Sequence, residues 1–583
     1  MKIKFDKNRL ILLLILIIGT AFRLINLDKN GLWYDEVGTL SVAKESFPFG
    51  ILNTLYHKDV HCPLFYFILH FWIKAFGFQE FVLRLFSAIL GTFNIIIFYL
   101  AGKELGSRNS GLITAFIASI SSFLIYFSQE IRFYPLILLL TTLSLLFLMR
   151  FDKKPSVKNL IGLTLSNLGI LYSYTLGSVF VLIESIIFLT YLCIKAHKKQ
   201  GQSDIKHIKT YINSQILSFV LFLPYLPTFF HHLNVSSNSF LNFFDWGNFK
   251  IFDIFVTIQN WFSPFIFVFQ HDYEKTYSSY FEIFGEKTFL IIFSIIAIIP
   301  IIFHIVGIIR AVFKKQIAVV IFLIFLAFFS YEILMSVNQK FILHGKYTVL
   351  NLPLLVILAG YGISQVKYSK FIITYLLILN LFYLNFVSFS APNMQRSTAY
   401  NKLAKTFDEY NLTSYDKIII SHGSRYVKDY FPKHSSIVFP LDLEYVYFYR
   451  QNFILEKIFD KAFITGVNKE NARERFRDFI KNPEPSEKFE NYLKNELIDK
   501  MSDNSKLAVY INRMTGKYES AELQEITLDT KEYYDLSLAR MLISKTSNDI
   551  VFICRKYLVL VDFKKEEGKE IYLFRKSNSF PNK

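Results

Sequence analysis

Residues 31–66 read GLWYDEVGTLSVAKESFPFGILNTLYHKDVHCPLFY, and how this stretch is read decides the fold. It follows the first apolar run, and Asp35 and Glu36 stand about eight residues beyond that run's end. If the run crosses a membrane, these acids lie at its lip. A carboxylate there is either a loop residue in water or a base working at the lipid boundary.

The rest of the composition supports a membrane setting. The 583 residues are 52% hydrophobic and 18% aromatic, with 64 Phe, and the mean hydropathy is +0.33. Apolar blocks of about 18–20 residues match a bilayer's hydrocarbon thickness better than a soluble core. The expectation is a polytopic α-helical membrane protein. A net charge of +17 raises nucleic acid as a partner, but topology accounts for much of it, and no nucleic acid is expected. Cys62, Cys193 and Cys554 are too few for a disulfide framework, and no CxxC or Cys/His cluster suggests structural zinc. The opening MKIKFDKNRL followed by ILLLILIIGTAF has the form of a signal sequence and is read as an uncleaved signal-anchor, the first helix.

Eleven spans are expected, near 10–27, 84–102, 110–127, 135–149, 159–175, 177–194, 211–230, 288–309, 316–336, 348–365 and 370–389. The run 64–76 is short and carries Lys74, so it is assigned to the interface. With the N-terminus inside, the short inner segments hold 20 Lys/Arg in 49 residues and the outer ones 11 in 132. This roughly fivefold difference in density follows the positive-inside rule. The acidic stretch, the long loops and the tail are then expected on the trans side.

Residues 1–390 are read as the membrane domain and 391–583 as a soluble extracytoplasmic α/β domain. Strand candidates are Lys417–Ser421, Ser436–Phe439, Leu507–Ile511, Ile550–Cys554 and Tyr557–Val561. Helical candidates are 397–410, 443–461, 468–480, 486–502 and 531–545. SHGSR after the first strand is not GxGxxG, so a nucleotide loop is not adopted.

Four outer clusters carry candidate chemistry. Asp35 and Glu36 follow Leu32, Trp33 and Tyr34, an aromatic anchor at headgroup depth. His61 precedes Pro63, which suits a helix start, so His61 could donate to a phosphate or simply face water. Arg132, the only cation of SQEIRFYP, needs a partner at a membrane lip; Glu130 or a bidentate phosphate would serve. Lys346 and Tyr347 open a late helix, with Lys340 and His344 nearby, as a phosphate patch or as headgroup anchors. Glu184, Glu332 and Arg84 stand in or at spans. Acids, a His, an Arg and aromatics on one side suit a lipid phosphate and a hydroxyl acceptor, without naming a sugar.

LWYDE, DVHCPLFYFILHFWIKAFGFQEFVLRLFSAILG and YFSQEIRFYPL resemble the dolichyl-phosphate-mannose protein mannosyltransferase-like group. These are GT-C fold membrane glycosyltransferases, among them the bacterial aminoarabinose transferases. The resemblance covers residues 10–150 well, the remaining membrane part loosely and the tail not at all. It implies sugar transfer from a polyprenyl-phosphate donor to a lipid, glycan or protein hydroxyl on the extracytoplasmic face of a bacterial plasma membrane. Asp35 carries over as the base with Glu36 as helper, and Arg132 as the donor-phosphate contact flanked by Glu130 and Tyr134. The H-P-P-L-x-Y element reads His61-Cys62-Pro63-Leu64-Phe65-Tyr66, with Cys62 in place of the first Pro. The late Arg-Tyr reads Lys346-Tyr347, which keeps the charge and loses the fork. One base and one leaving phosphate imply inversion without a covalent intermediate. No cofactor or metal is expected; a divalent ion held by Asp35, Glu36 and His61 is the alternative. The other functional readings are a transporter or lipid flippase with an outer acidic gate, and an inactive relative.

Overall fold

The computed structural model describes residues 7–27, 34–58, 61–199, 202–235, 254, 257–258, 261–262, 286–337, 345–385, 409–420, 487–512, 548–566 and 569–576. Leu32, Trp33, Asp59, Lys340, His344, the strand candidate at 436–439 and the helical candidates 443–461, 468–480 and 531–545 lie outside the described residues. Contacts divide the chain into two units: Met1–Leu241 with Trp246–Thr398, and Ala399–Lys583 with Asn242–Asp245.

The first unit is helical. Its elements begin with α1 (Lys7–Leu24), α2 (Tyr34–Ala43), α3 (Phe49–Lys58), α4 (Leu64–Phe76), α5 (Glu80–Leu105) and α6 (Arg108–Ile120). They continue with α7 (Ser122–Ser128), α8 (Tyr134–Lys153), α9 (Val157–Leu171), α10 (Gly177–Lys199), α11 (Gln202–Phe222) and α12 (Leu226–Val235). Helices Glu286–Lys314, Gln316–Val337, Asn351–Ser364 and Ser369–Asn385 complete it. All eleven stretches expected as spans are at least partly helical. Among the described residues, however, only five helices are long and apolar enough to cross a membrane. A sixth arises if α6 and α7, bent by 60°, form one broken span. Helices α9 and Asn351–Ser364 are too short, with 15 and 14 residues, and α1 carries Lys7, Arg9 and Arg23.

Helix α4 has 13 residues, about 20 Å at 1.5 Å per residue, well short of a bilayer core. It stops at Gly77, whose φ of +89° a side chain would resist. Helix Asn351–Ser364 is buried from Asn351 to Ile363, as expected of a helix apolar on every face. A Cβ on Gly360 would strike Thr114 of α6, and one on Gly362 would strike the backbone of Gly307. Such small residues let membrane helices pack backbone to backbone. The turn Gly345–Thr348 precedes this buried helix.

The second unit contains a four-stranded sheet of β1 (Lys417–Ile420), β2 (Lys506–Asn512), β3 (Val559–Glu566) and β4 (Lys569–Arg575), in the order β1-β2-β4-β3. β1 pairs parallel with β2, and the other two pairings are antiparallel. One expectation fails: 550–554 is not a strand but part of a helix over 548–557. Ile550, Ile553, Cys554 and Leu558 are buried while Phe552 is exposed. That spacing, with offsets of three, four and eight, buries one helical stripe and not alternate residues. The helical expectation at 486–502 meets Glu487–Leu493 and the π turn Lys494–Ile498.

Candidate active site

Helix α2 starts at Tyr34, so Asp35 and Glu36 stand in its first turn, where the helix dipole favours carboxylates. Neighbours on a helix point about 100° apart, and the two acids go different ways. Glu36 turns inward and is fully buried. Arg84 of α5 grips it with both nitrogens, Nε to Oε1 at 3.0 Å and Nη2 to Oε2 at 2.7 Å. The backbone N–H of Ile131 also donates to Glu36 Oε1, at 3.0 Å. Arg84 Nη1 reaches the carbonyl of Leu27, beyond the end of α1. Glu36 thus joins α2, α5 and the loop before α8.

Asp35 keeps 22% of its side chain exposed and meets two cations. Lys346 Nζ lies 3.3 Å from Oδ2. Arg132 Nη2 lies 3.9 Å from the same oxygen. Burial alone would raise the Asp35 carboxyl, but Lys346 and Arg132 outweigh it and hold the group below the usual carboxylate range. Burial alone would likewise lower Lys346, and Asp35 reverses that, so the ammonium is held protonated above its ordinary range.

Arg132 is aimed by several partners at once. Its Nη1 donates to Thr39 Oγ1 at 2.8 Å and to the Asp35 carbonyl at 3.2 Å. Thr39 in turn donates to that carbonyl, one helical turn back. Arg132 Nη2 lies 2.9 Å from His61 Nε2. A guanidinium only donates, so Nε2 accepts and the His61 proton sits on Nδ1. His61 is thus a support for Arg132 through the nitrogen that would otherwise face a phosphate. Its ring rests on Phe133 at 5.5 Å. The Glu130 carbonyl accepts from the Arg132 N–H, and Glu130 itself is buried. Tyr134, buried at the start of α8 with Pro135 in the first turn, lies within electrostatic reach of Lys346, Arg132, Asp35 and Glu130. The Tyr347 carbonyl accepts from Tyr174 Oη at 3.3 Å, and Lys346 Nζ stands over the Tyr347 ring.

The H-C-P-L element is docked rather than loose. Cys62 is buried against Thr175, and Leu64 N–H donates to the Tyr172 carbonyl at 3.0 Å. Pro63 is the cap residue before α4. Glu184 and Glu332 lie elsewhere in the bundle, bonded to Ser144 and Asn351. Among the described residues no three His, Cys, Asp or Glu side chains converge as a metal site. Thr39 is not among the sequence candidates; its only signal is the four-residue step from Asp35, which counts only if YDEVGTLSVA is helical.

Residues 60–227 match the family dolichyl-phosphate-mannose-protein mannosyltransferase. An uncharacterized protein of Aquifex aeolicus (strain VF5) is 32% identical over 198 residues, which cover 32% of this chain and 38% of that protein. The solved structure of ArnT from Cupriavidus metallidurans bound to undecaprenyl phosphate matches with a TM-score of 0.50. It is 10% identical, and the match covers 98% of this chain and 99% of that one. The apo form of the same protein gives 0.52 at 10% identity, covering 96% and 97%. At such identity the likeness concerns the fold. The chain accordingly shares the GT-C fold, and its residues 60–227 are similar to the dolichyl-phosphate-mannose-protein mannosyltransferase family.

Proposed function

We propose that this protein is an integral-membrane glycosyltransferase that moves a sugar from a polyprenyl-phosphate donor to a hydroxyl acceptor, with inversion, on the extracytoplasmic face of a bacterial plasma membrane. The observation that carries the reading is a partly exposed carboxylate, Asp35, set between two cations from distant parts of the chain, Arg132 and Lys346. The likeness to a protein solved with undecaprenyl phosphate supports the choice of carrier.

In this reading Arg132 and Lys346 grip the donor phosphate, whose charge grows as the sugar–phosphate bond breaks. Asp35 takes the proton of the acceptor hydroxyl while its oxygen attacks the anomeric carbon. The bond to the phosphate oxygen breaks with its electron pair, and polyprenyl phosphate leaves already anionic. One displacement inverts the centre, and no acid is needed for such a leaving group. The acceptor is a lipid, a glycan or a protein. Glu36 and Arg84 hold the framework, and His61, Thr39 and the loop backbone aim Arg132.

The test is transfer from a labelled polyprenyl-phosphate sugar by the full chain in proteoliposomes. Asp35→Asn is expected to lower turnover by about 10²- to 10⁴-fold, the usual contribution of a positioned base. Unchanged transfer by that variant would remove Asp35 from the chemistry. Movement of the donor across the bilayer without bond breakage would favour a flippase instead.

A further inference from the structure

The break between α6 and α7 leaves backbone carbonyls without helical partners, and it lies just before the loop that bears Arg132. A buried guanidinium meets it. Arg23, near the end of α1 and almost fully buried, donates from Nη2 to the Ala118 carbonyl at 3.1 Å. Its Nη1 reaches the carbonyls of Ser119 at 3.3 Å and Gly19 at 2.8 Å. Its Nε reaches Ser128 Oγ at 3.3 Å. Hydrogen bonds of this kind are what a helix C-terminus lacks and what lets an arginine stay buried.

The favour is returned from the loop. Gln129 Nε2 lies within hydrogen-bonding reach of three carbonyls at and just past the end of α1, those of Phe22 at 3.2 Å, Arg23 at 3.4 Å and Ile25 at 3.0 Å. That helix ends through Asn26, which has a φ of +55° and suits a helix-terminating position. Thus α1 supplies the donor that closes α6, and the residue after α7 supplies the donor that closes α1. Two residues on, Ile131 N–H is held by Glu36, and Arg84 ties Glu36 to the Leu27 carbonyl. The segment from Ser128 to Arg132 is therefore fixed to α1 on one side and to α2 on the other.

We infer that Arg23 and Gln129 are positioning residues, a reciprocal pair of helix caps that sets Arg132 at its distance from Asp35. The pair touches neither reacting group and acts through the Arg132 guanidinium. This rests on the proposed grip of Arg132 on a polyprenyl phosphate.

Gln129 is the better site to test, since it is only partly buried and carries no charge, whereas changes at Arg23 risk the fold. Gln129→Glu keeps the size and loses the donor; Gln129→Lys keeps a donor that suits a helix C-terminus. The probe is undecaprenyl phosphate itself, titrated against the full chain in detergent, with the thermal unfolding midpoint recorded alongside. Gln129→Glu is expected to weaken binding about tenfold or more, within what a small misplacement costs, and Gln129→Lys to bind like the wild type. In an Arg132→Ala background Gln129→Glu is expected to cost nothing further, the mark of two residues acting as one. Unchanged binding by Gln129→Glu, equal loss with Gln129→Lys, or full additivity with Arg132→Ala would overturn the inference. A wild-type chain that does not bind undecaprenyl phosphate would sink the reading on which it rests, and a binding wild type with an indifferent Gln129→Glu would sink the inference alone.

Discussion

Asp35 and Lys346 are 311 residues apart in sequence, and their charged atoms are 3.3 Å apart. The ammonium is the nearer of the two cations on the carboxylate, ahead of Arg132 at 3.9 Å. It is also a single point charge, free to pass from carboxylate to phosphate without breaking a fork. We predict that Lys346→Met raises the donor KM and shifts the acid limb of the pH–rate profile upward. With the nearer cation gone, burial counts for more against the Asp35 carboxylate, and its pKa rises. The profile of kcat/KM against pH checks this, and an unmoved acid limb would detach Lys346 from the base.

The same cluster makes stability depend on pH. The Asp35 pKa is depressed in the folded protein, so its pairing stabilises the fold above the ordinary aspartate value of about 3.9. That contribution fades as pH falls through the lowered folded value, because the unfolded chain takes the proton first. Wild type is therefore expected to lose thermal stability on acidification in this range more steeply than Asp35→Asn. Parallel unfolding curves for the two proteins in detergent would remove the linkage.

The Glu36–Arg84 pair makes a different demand. Both side chains are almost wholly out of solvent, 0% and 2% exposed. Removing one partner strands a charge, and the cost for such pairs is about 3–5 kcal/mol. Glu36→Leu and Arg84→Met are each expected to lower the unfolding midpoint sharply. The double variant should recover much of the loss, since neither charge is then stranded. If Glu36→Leu were as stable as wild type, the anchor role would fall.

How much of this was legible beforehand follows from where the signals lie. Hydropathy located the helices because a long apolar run has few other uses, yet it could not separate a spanning helix from a buried one. Asn351–Ser364 is apolar and central to the bundle, but 14 residues are too few to cross by themselves. Arg132 and Asp35 could be suspected because charge at a membrane lip needs a reason. Their partners could not: Thr39 depends on α2 being a helix, and the split roles of Asp35 and Glu36 depend on the turn between them. Nothing in the sequence shows that Arg84 serves a carbonyl just past α1 or that Arg23 serves one of α6. In the tail, Ile550–Cys554 was apolar enough for either structure, and only burial at helical spacing decided it.

His61 offers the sharpest separation of a supporting role from a direct one. Its Nε2 accepts from Arg132, so an acceptor is what the position needs. His61→Gln offers a carbonyl oxygen of similar reach, while His61→Leu leaves an N–H of the buried guanidinium facing a hydrocarbon. A lost hydrogen bond to a charged group costs about 1.5–3 kcal/mol, or roughly ten- to a hundredfold in kcat/KM if it falls on the transition state. His61→Leu is expected to show that loss and His61→Gln to keep most of the activity. Equal loss in His61→Gln and His61→Leu would instead detach the position from any acceptor role toward Arg132.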